Sequence, residues 1–269
     1  MKIAFIGGGN MATALIAGLA RQPENRFHVV DPNPEALARL AADYGAGTAT
    51  AIDAELASAD VIVLAVKPQQ MREVAAALAP RLGAQLVLSI AAGIRGADLS
   101  RWLGGHGAIV RAMPNTPALI KQGITGMVAL PGVSEEQRAA ADAVLRAVGQ
   151  TVWLEDEALI DPVTAVSGSG PAYVFYFLEA MQAAASDMGL SAEQGKQLAL
   201  ATFAGATQLA AQSSEPLELL RQRVTSKGGT THAAISSMEA AGVKAAIVEA
   251  MKAAAARGRE LGDELGRDE

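Results

Sequence analysis

The sequence predicts an α/β protein in which a doubly wound sheet is followed by an all-helical C-terminal domain. In the first half, short apolar runs of strand length alternate with longer runs of helical period, which indicates successive βαβ units. After Trp153 no convincing strand follows, and the remaining chain shows helical periodicity. This change of pattern predicts two domains, at residues 1–155 and 156–269.

The elements of the first domain follow from buried apolar strands and from helix-start signals. The opening strand, Ile3–Ile6, is wholly apolar, as expected of a strand that is covered on both faces. Pro34 stands in the first turn of a helix, and Lys67-Pro68 stops a strand that begins at Val61. The sequence predicts strands Ile3–Ile6, Phe27–Val30, Val61–Val66, Gln85–Ile90, Ala108–Met113 and Ile124–Leu130, and helices Ala12–Ala20, Pro34–Tyr44, Gln69–Leu82 and Ser134–Val148.

The helices of the second domain are separated by glycine and serine turn signals. Hydrophobic residues make up 51% of the chain and aromatic residues only 4%, so these helices are aliphatic and rich in alanine. Such apolar helices predict an extensive subunit interface, because large exposed apolar surfaces are otherwise a liability. The predicted helices are Glu155–Val166, Pro171–Met188, Ala192–Gln212, Pro216–Val224, Thr230–Ala240 and Val243–Leu265.

Composition and charge exclude several classes of function. The formal net charge is −6 and no basic run is longer than a pair, so nucleic acid is not an expected partner. The chain has no cysteine, which excludes disulfides, thiolate catalysis and cysteine zinc sites, and its three histidines are too dispersed to predict a metal site. No apolar run approaches the ~20 residues that span a bilayer. We therefore expect a soluble, cytoplasmic protein.

The segment Gly7-Gly8-Gly9-Asn10-Met11-Ala12 matches the dinucleotide fingerprint G-x-G-x-x-A. It follows a strand and opens a helix, which is the context that makes the motif credible. The first glycine makes the tight turn, the second lets a pyrophosphate approach the backbone, and the alanine keeps the helix close to the strand. A simple glycine turn at a βα junction is the alternative. We expect a Rossmann-like domain with cofactor contacts at Ile6, Gly7, Gly8, Gly9, Asn10 and Met11.

Asp31 ends the second predicted strand, where an acidic side chain commonly binds the adenosine ribose hydroxyls and disfavours a 2′-phosphate. That position favours NAD over NADP. The alternative is that Asp31 only begins the turn Asp31-Pro32-Asn33-Pro34 and caps the following helix. The sequence does not decide between these two interpretations.

Three further segments leave the carboxyl ends of strands, where open α/β sheets bind their ligands. In Ala65-Val66-Lys67-Pro68 the lysine can reach a phosphate or ribose, or it can be a solvated loop lysine. Ala91-Ala92-Gly93 can let the cofactor pass close to the backbone. Asn115 stands between Pro114 and Pro117, which can aim its amide at a nicotinamide carboxamide or can make a rigid loop without a ligand.

Two glycine-containing segments of the second domain open helices. Ser167-Gly168-Ser169-Gly170-Pro171 precedes the long central helix, and its glycines either bring that helix start close to the cofactor or form a plain linker. Ser226-Lys227-Gly228-Gly229-Thr230-Thr231 opens a later helix. The N–H groups of such a helix start can bind a carboxylate or a phosphate. The alternative is an ordinary threonine cap after a glycine loop.

Five motifs in this order make the chain resemble the pyrroline-5-carboxylate reductase family. They are Gly7-Gly8-Gly9-Asn10-Met11-Ala12, Ala65-Val66-Lys67-Pro68, Arg111-Ala112-Met113-Pro114-Asn115-Thr116-Pro117, Ser167-Gly168-Ser169-Gly170-Pro171-Ala172-Tyr173 and Val224-Thr225-Ser226-Lys227-Gly228-Gly229-Thr230-Thr231. The resemblance extends from Ile3 to about Met251. Lys227 is a departure, because many members of the family have proline there.

The resemblance implies hydride transfer from NAD(P)H to the C=N carbon of 1-pyrroline-5-carboxylate, which gives L-proline. By the same resemblance, the Thr231 hydroxyl lies at the ring nitrogen. Ser226 and the backbone of the Gly228–Thr231 turn hold the substrate carboxylate, with N–H groups from Gly229, Thr230 and Thr231. The family more often favours NADPH, so the preference between the two cofactors stays open.

The resemblance also implies a dimer through the helical domain and a higher oligomer built from dimers. In that arrangement the Gly-Gly-Thr-Thr turn of one chain faces the cofactor of its partner. A 3-hydroxyacid dehydrogenase is the closest alternative, but the predicted helix Pro171–Met188 has no lysine to act as its base. A non-catalytic nucleotide sensor is a further alternative, although it would need no polar turn aimed at the nicotinamide.

Overall fold

Eight strands form a single sheet in the computed structural model, which describes residues 1–267. Residues 268 and 269, the last two of the predicted second domain, lie outside the described residues. Numbered along the chain, the strands are β1 (Lys2–Ile6), β2 (Arg26–Val30), β3 (Gly47–Ala49), β4 (Val61–Leu64), β5 (Leu86–Ser89), β6 (Ile109–Met113), β7 (Gly123–Ala129) and β8 (Gly149–Trp153). Their order across the sheet is β3-β2-β1-β4-β5-β6-β7-β8. Neighbouring strands are parallel except for the antiparallel pair β6–β7.

The α-helices in the same described residues alternate with the strands and then continue alone. Asn33 caps the second helix, and Ser134 and Ser191 begin the fifth and eighth helices with capping boxes. The helices are α1 (Asn10–Leu19), α2 (Pro34–Tyr44), α3 (Met71–Leu78), α4 (Gly96–Trp102), α5 (Glu135–Arg146), α6 (Ile160–Val163), α7 (Gly170–Asp187), α8 (Ala192–Ala211), α9 (Leu217–Arg223), α10 (Thr230–Ala240) and α11 (Val243–Leu265).

The sheet separates two hydrophobic cores, one on each face. Ile3 and Phe5 of β1 belong to the core that includes α1, α2 and α5, whereas Ala4 and Ile6 belong to the core that includes α3 and α4. Successive strand residues point to opposite faces, so a strand covered by helices on both sides has to be apolar throughout. The predicted doubly wound fold with a helical C-terminal part is confirmed.

The structure contains elements that the sequence pattern did not predict. Strands β3 and β8 lie at the two edges of the sheet, and β8 is only half-buried at alternate positions, so neither shows a continuous apolar run. Helix α4 is only seven residues long and gives a weak periodic signal. The predicted helix Glu155–Val166 is divided into a 3₁₀ turn (Glu157–Leu159), α6 and a π turn that ends at Gly168.

The chain divides into two compact units at a different place from the predicted boundary at residue 155. The first unit contains Met1–Ser169 and also the chain from Ala253 onward, and the second contains Gly170–Lys252. The boundary is later because α6 and the π turn pack on the sheet: a Cβ at Gly126 of β7 would lie 2.7 Å from Cγ1 of Val163. The predicted second domain therefore includes two segments that belong to the first compact unit.

The second unit exposes much of its apolar surface on the single chain. Helices α7 and α8 pack together, with the rings of Phe177 and Phe203 6.4 Å apart. Among residues 1–267, no helix is long and apolar enough to cross a membrane. The large apolar side chains exposed in this unit include Val174, Phe175, Tyr176, Met181, Met188, Leu198, Leu209, Leu217, Val224 and Met238.

Candidate active site

The glycine-rich turn after β1 is held tightly between neighbouring strand ends. The N–H of Gly7 donates to the carbonyl oxygen of Val30 at 2.8 Å. Gly7 has a φ of +102°, a conformation that L side chains rarely adopt, and a Cβ there would lie 2.6 Å from the carbonyl oxygen of Ala65. Both the backbone conformation and the close packing therefore require glycine at this position.

Helix α1 follows the turn and begins without a capping side chain. Its first backbone hydrogen bond runs from Thr13 N to Gly9 O at 2.9 Å, so the N–H groups of Asn10, Met11 and Ala12 precede the bonded part of the helix. Apart from Gly9 and its two chain neighbours, no atom of residues 1–267 lies within 4 Å of the place where a Cβ of Gly9 would stand. This arrangement can bind a pyrophosphate, because the helix start presents N–H groups and the adjacent backbone is open.

Asp31 links this turn to the end of β2. One carboxylate oxygen accepts the N–H of Gly8 at 2.6 Å, and the other accepts the N–H of Asn33 at 2.8 Å. The cap of α2 is Asn33, whose side chain accepts from the N–H groups of Glu35 and Ala36. Asp31 therefore begins the turn before α2, as the second interpretation of the sequence has it. The N-cap of α2 is Asn33 and not Asp31.

A cavity of about 670 Å³ lies beside the glycine-rich turn. Of the residues predicted to bind the cofactor, it is lined by Ile6, Gly7, Gly9, Asp31, Ala65, Val66 and Lys67. The other predicted cofactor residues are not among its lining residues; these are Gly8, Asn10, Met11, Pro68, Ala91, Ala92, Gly93 and Asn115. The cavity therefore brings together the ends of β1, β2 and β4.

Sequence reasoning missed part of this lining. Thr50, Ala51 and Ile52 follow β3, the short edge strand that the pattern did not predict. The other missed residues are Gln70, which is the N-cap of α3, and Glu73, Val74 and Ala77 within α3. Their spacing of three, four and seven residues is that of a single helix face, which is the signal that could have identified them.

The charged side chains that line the cavity are mainly acidic. Asp31 and Glu73 are carboxylates, and Lys67 is the only cation among the lining residues. A negatively charged phosphate in this cavity would therefore meet two carboxylates and a single lysine.

Gly93 packs closely against the C-terminal part of the chain, and its predicted approach to a cofactor stays a prediction. It has a φ of +72°, and a Cβ there would lie 3.2 Å from Cβ of Leu261 on α11. Two residues later, Arg95 donates to the carboxylate of Asp263 on α11 at 2.5 Å. This hydrogen bond raises the pKa of the Arg95 guanidinium. The end of α11 thus covers the loop after β5.

A buried ion pair also supports this loop. Arg111 of β6 is only 5% exposed and pairs with Glu157. The Glu157 carboxylate also accepts the N–H of Gly96, at the start of α4, at 2.6 Å. The sequence did not predict this ion pair, because Arg111 and Glu157 are far apart in the chain. Removing the Glu157 carboxylate would leave the buried guanidinium of Arg111 without its charge partner.

Asn115 uses its amide group within the protein. It is 9% exposed; its Nδ2 donates to Ser167 O at 3.1 Å, and its Oδ1 accepts the N–H of Ile124 at 3.0 Å. The side chain thus makes two contacts with backbone, and the contact with a nicotinamide carboxamide stays a prediction. The turn predicted at Ser167–Gly170 is also different, since the chain passes through the π turn Thr164–Gly168 directly into α7.

The predicted substrate turn lies in the second unit. Gly228 has a φ of +77°, which fits glycine, and the N–H of Gly229 donates to Ser226 O at 3.0 Å. The predicted carboxylate donor at Gly229 is therefore wrong in this structure, because the turn itself occupies that N–H. The first bond of α10 runs from Ala233 N to Gly229 O at 3.1 Å, so the N–H groups of Thr230 and Thr231 precede it.

Two family models match separate parts of the chain. The model of pyrroline-5-carboxylate reductase dimerisation matches residues 157–261. The model described as NADP oxidoreductase coenzyme F420-dependent matches residues 2–93. The second match covers β1 to β5, which includes the glycine-rich turn and Asp31. The two matches therefore cover the nucleotide-binding features and the helical part respectively.

Curated relatives and solved structures match almost the whole chain. The chain is 49% identical to pyrroline-5-carboxylate reductase of Pseudomonas aeruginosa, over 99% of this chain and 98% of the relative. It is 42% identical to that of Haemophilus influenzae, over 96% and 97% of the two chains. A structure of a pyrroline-5-carboxylate reductase from Coxiella burnetii superposes with a TM-score of 0.90 at 39% identity, over 96% of this chain and 97% of that one. A structure of pyrroline carboxylate reductase from Plasmodium falciparum with NADP bound superposes with a TM-score of 0.86 at 29% identity, over 97% of this chain and 98% of that one.

Proposed function

The chain belongs to the pyrroline-5-carboxylate reductase family, and from this membership we propose which of its residues carry the reaction. It is an oxidoreductase that uses NAD(P)H to reduce the C=N bond of 1-pyrroline-5-carboxylate to L-proline, the final step of proline biosynthesis. The observation that carries the assignment is the 49% identity over 99% of the chain. Cytoplasmic location stays a prediction.

We propose that residues 1–155 bind the dinucleotide and that residues 156–269 supply the substrate turn and the dimer surface. The first unit fits a dinucleotide, because Gly7 makes the tight turn and Gly9 leaves open space beside a cavity of about 670 Å³. The pyrophosphate is assigned to the N–H groups of Asn10 and Met11 at the start of α1. Lys67 provides a cation at the same cavity.

The substrate is assigned to the start of α10. The N–H groups of Thr230 and Thr231, with the Ser226 hydroxyl, hold the carboxylate, which benefits from the positive end of the helix. Gly228 and Gly229 contribute to this site because they have no side chains that could block the substrate, and Gly228 also adopts the positive φ of the turn. The exposed Lys227 adds a positive charge beside this anion site.

When bound, NAD(P)H supplies the hydride that forms the new C–H bond at the imine carbon. The protein residues bind and orient the substrate, because an imine needs only protonation or a hydrogen bond at nitrogen to become a good hydride acceptor. The Thr231 hydroxyl is assigned to that hydrogen bond. As the hydride adds to carbon, the π electron pair of the C=N bond moves to the ring nitrogen, and the proton that the nitrogen needs comes from the solvent.

The decisive experiment measures initial rates of NADH and NADPH oxidation separately, with 1-pyrroline-5-carboxylate as substrate. We expect turnover with both cofactors and a higher kcat/KM with NADH, because Asp31 and Glu73 line the cavity. In Asp31→Asn we expect the NADPH-to-NADH ratio of kcat/KM to rise about tenfold, which is about 1.4 kcal/mol. The asparagine oxygen can still accept the N–H of Gly8, but the amide NH2 cannot accept the N–H of Asn33, so a melting curve has to accompany this variant.

A control variant accompanies this measurement. Glu24→Gln removes an exposed carboxylate that does not line the cavity, and it should leave the ratio unchanged. An unchanged ratio in Asp31→Asn would show that this carboxylate only holds the turn. No turnover with either cofactor, from protein shown to bind both, would contradict the reductase assignment.

The chain forms a dimer through its helical part, as the matched dimerisation model indicates. We further propose that dimers assemble into a higher homo-oligomer and that each active site combines the cofactor of one chain with the substrate turn of its partner. Tyr176→Asp should separate the dimer and reduce turnover at least tenfold, because this side chain is 72% exposed on the single chain and belongs to the apolar helical unit.

Light scattering and NADH fluorescence titration test this prediction together. The monomer should still bind NADH, since the proposed cofactor residues lie in the first unit. Arg21→Glu, at an exposed position of that unit, is the matched control and should remain dimeric and active. A Tyr176→Asp monomer with full activity at nanomolar concentration would exclude a shared site.

A further inference from the structure

The π turn Thr164–Gly168 leaves one carbonyl group without a helical donor. The N–H of Ser169 donates to Thr164 O, five residues earlier, at 2.8 Å. In a regular helix the carbonyl of Ser167 would accept the N–H of residue 171. Residue 171 is proline, which has no N–H. The donor that a regular helix would give the Ser167 carbonyl is therefore missing.

Asn115 supplies the missing donor. Its Nδ2 lies 3.1 Å from Ser167 O, and its Oδ1 accepts the N–H of Ile124 on β7 at 3.0 Å. The N–H of Ile124 requires an acceptor, so it fixes which end of the amide faces β7 and which faces Ser167. With only 9% of its surface exposed, Asn115 makes these bonds in a region that solvent scarcely reaches.

The surrounding packing holds the turn against the sheet. A Cβ at Gly168 would lie 2.5 Å from Cε of Met113, the last residue of β6. On the β7 side, a Cβ at Gly126 would lie 2.7 Å from Cγ1 of Val163. Gly126 allows a close approach to the branched Val163 that a side chain would prevent, whereas a side chain at Gly168 would have to displace the flexible end of Met113. The turn therefore has little room to move beside the carboxyl end of β6.

We infer that Asn115 is a positioning residue: by replacing the donor that Pro171 lacks, it holds the π turn beside the carboxyl end of β6. The inference rests on the proposed function, because ligands of open α/β sheets bind at the carboxyl ends of the strands. Asn115 acts through Ser167 and does not contact the cofactor. The two hydrogen bonds of its side-chain amide explain why an asparagine stands between Pro114 and Pro117.

The variant Asn115→Asp tests the role while it preserves shape. One carboxylate oxygen still accepts the N–H of Ile124, and the other oxygen faces the Ser167 carbonyl, with which it cannot form a hydrogen bond. We expect kcat to fall about tenfold. The KM for NAD(P)H should stay within about twofold, because the glycine-rich turn is untouched. A raised KM for NAD(P)H with unchanged kcat would instead indicate direct cofactor contact and overturn the inference.

A double-mutant cycle isolates the bond to Ser167. Pro171→Ala restores a backbone N–H at residue 171, so it should compensate in part for the loss of the amide in Asn115→Ala. We expect the double variant to retain at least threefold more kcat than Asn115→Ala, with a higher melting temperature. Effects that simply add would overturn the inference.

The result separates this inference from the proposed function. A wild-type protein that does not reduce 1-pyrroline-5-carboxylate overturns the function. A wild-type protein that does, with additive effects of Asn115→Ala and Pro171→Ala on both kcat and melting temperature, overturns only the role of Asn115. Melting curves of every variant identify those that fail to fold, and Asn115→Asp supplies the kinetic test where Asn115→Ala is unstable.

Discussion

Thr231→Ala is expected to lower kcat/KM for 1-pyrroline-5-carboxylate by roughly ten- to a hundred-fold. The hydroxyl is assigned to the ring nitrogen, and loss of one such hydrogen bond costs roughly 1–3 kcal/mol of transition-state binding. At about 1.4 kcal/mol per factor of ten, the enzyme is slowed but not inactivated. Steady-state rates over a range of substrate concentrations measure the change.

The structure makes this variant a clean test. Thr231 is exposed on the single chain and lies in the first turn of α10, whose N-cap has no side-chain hydrogen bond. The fold therefore does not depend on this hydroxyl, and the melting temperature should be unchanged. Thr231→Ser keeps the hydroxyl and should retain most of the activity. Full kcat/KM in the alanine variant would remove Thr231 from the mechanism.

Gly7→Ala is expected to destabilise the protein by about 3 kcal/mol or more, which denaturant unfolding can measure. The added Cβ would stand 2.6 Å from Ala65 O, a distance that real Cβ atoms do not tolerate, so β1 and β4 must separate locally. The φ of +102° adds about 1–2 kcal/mol of strain for any L side chain. Both effects act on the sheet itself and do not require a bound cofactor.

Gly9→Ala is the matched comparison. Gly9 has a φ of −72°, and a Cβ there meets no other atom within 4 Å, so the fold should tolerate the methyl group. Because that open space lies beside the proposed pyrophosphate site, the KM for NAD(P)H should rise about tenfold. Equal unfolding free energies for Gly7→Ala and the wild type would contradict the packing argument, and an unchanged KM in Gly9→Ala would contradict the cofactor site.

Much of the sheet was predictable because its central strands are buried on both faces. Strand β4 reads Val-Ile-Val-Leu and every one of its side chains is buried. Edge strands carry less information: β8 alternates between half-buried and exposed positions and begins with Gly149, which has no side chain to contribute to a pattern. The sequence therefore predicts the centre of this fold better than its borders.

For the candidate site, local patterns predicted the turns but not the long-range partners of their side chains. The strand–glycine–helix order predicted the turn at Gly7, which depends on neighbouring residues. The hydrogen bonds of Asn115 were not predicted, because its partners, Ile124 and Ser167, become neighbours only after folding. The packing of Gly93 was missed for the same reason, since α11 comes from the other end of the chain.

The return of the chain from Ala253 onward to the first unit has a consequence for synthesis on the ribosome. The nucleotide-binding unit cannot reach its final packing until the last helix has left the exit tunnel, because Leu261 covers Gly93 and Asp263 pairs with Arg95. Until then, a nascent chain keeps part of the loop after β5 uncovered. The N-terminal half is translated first but is completed last.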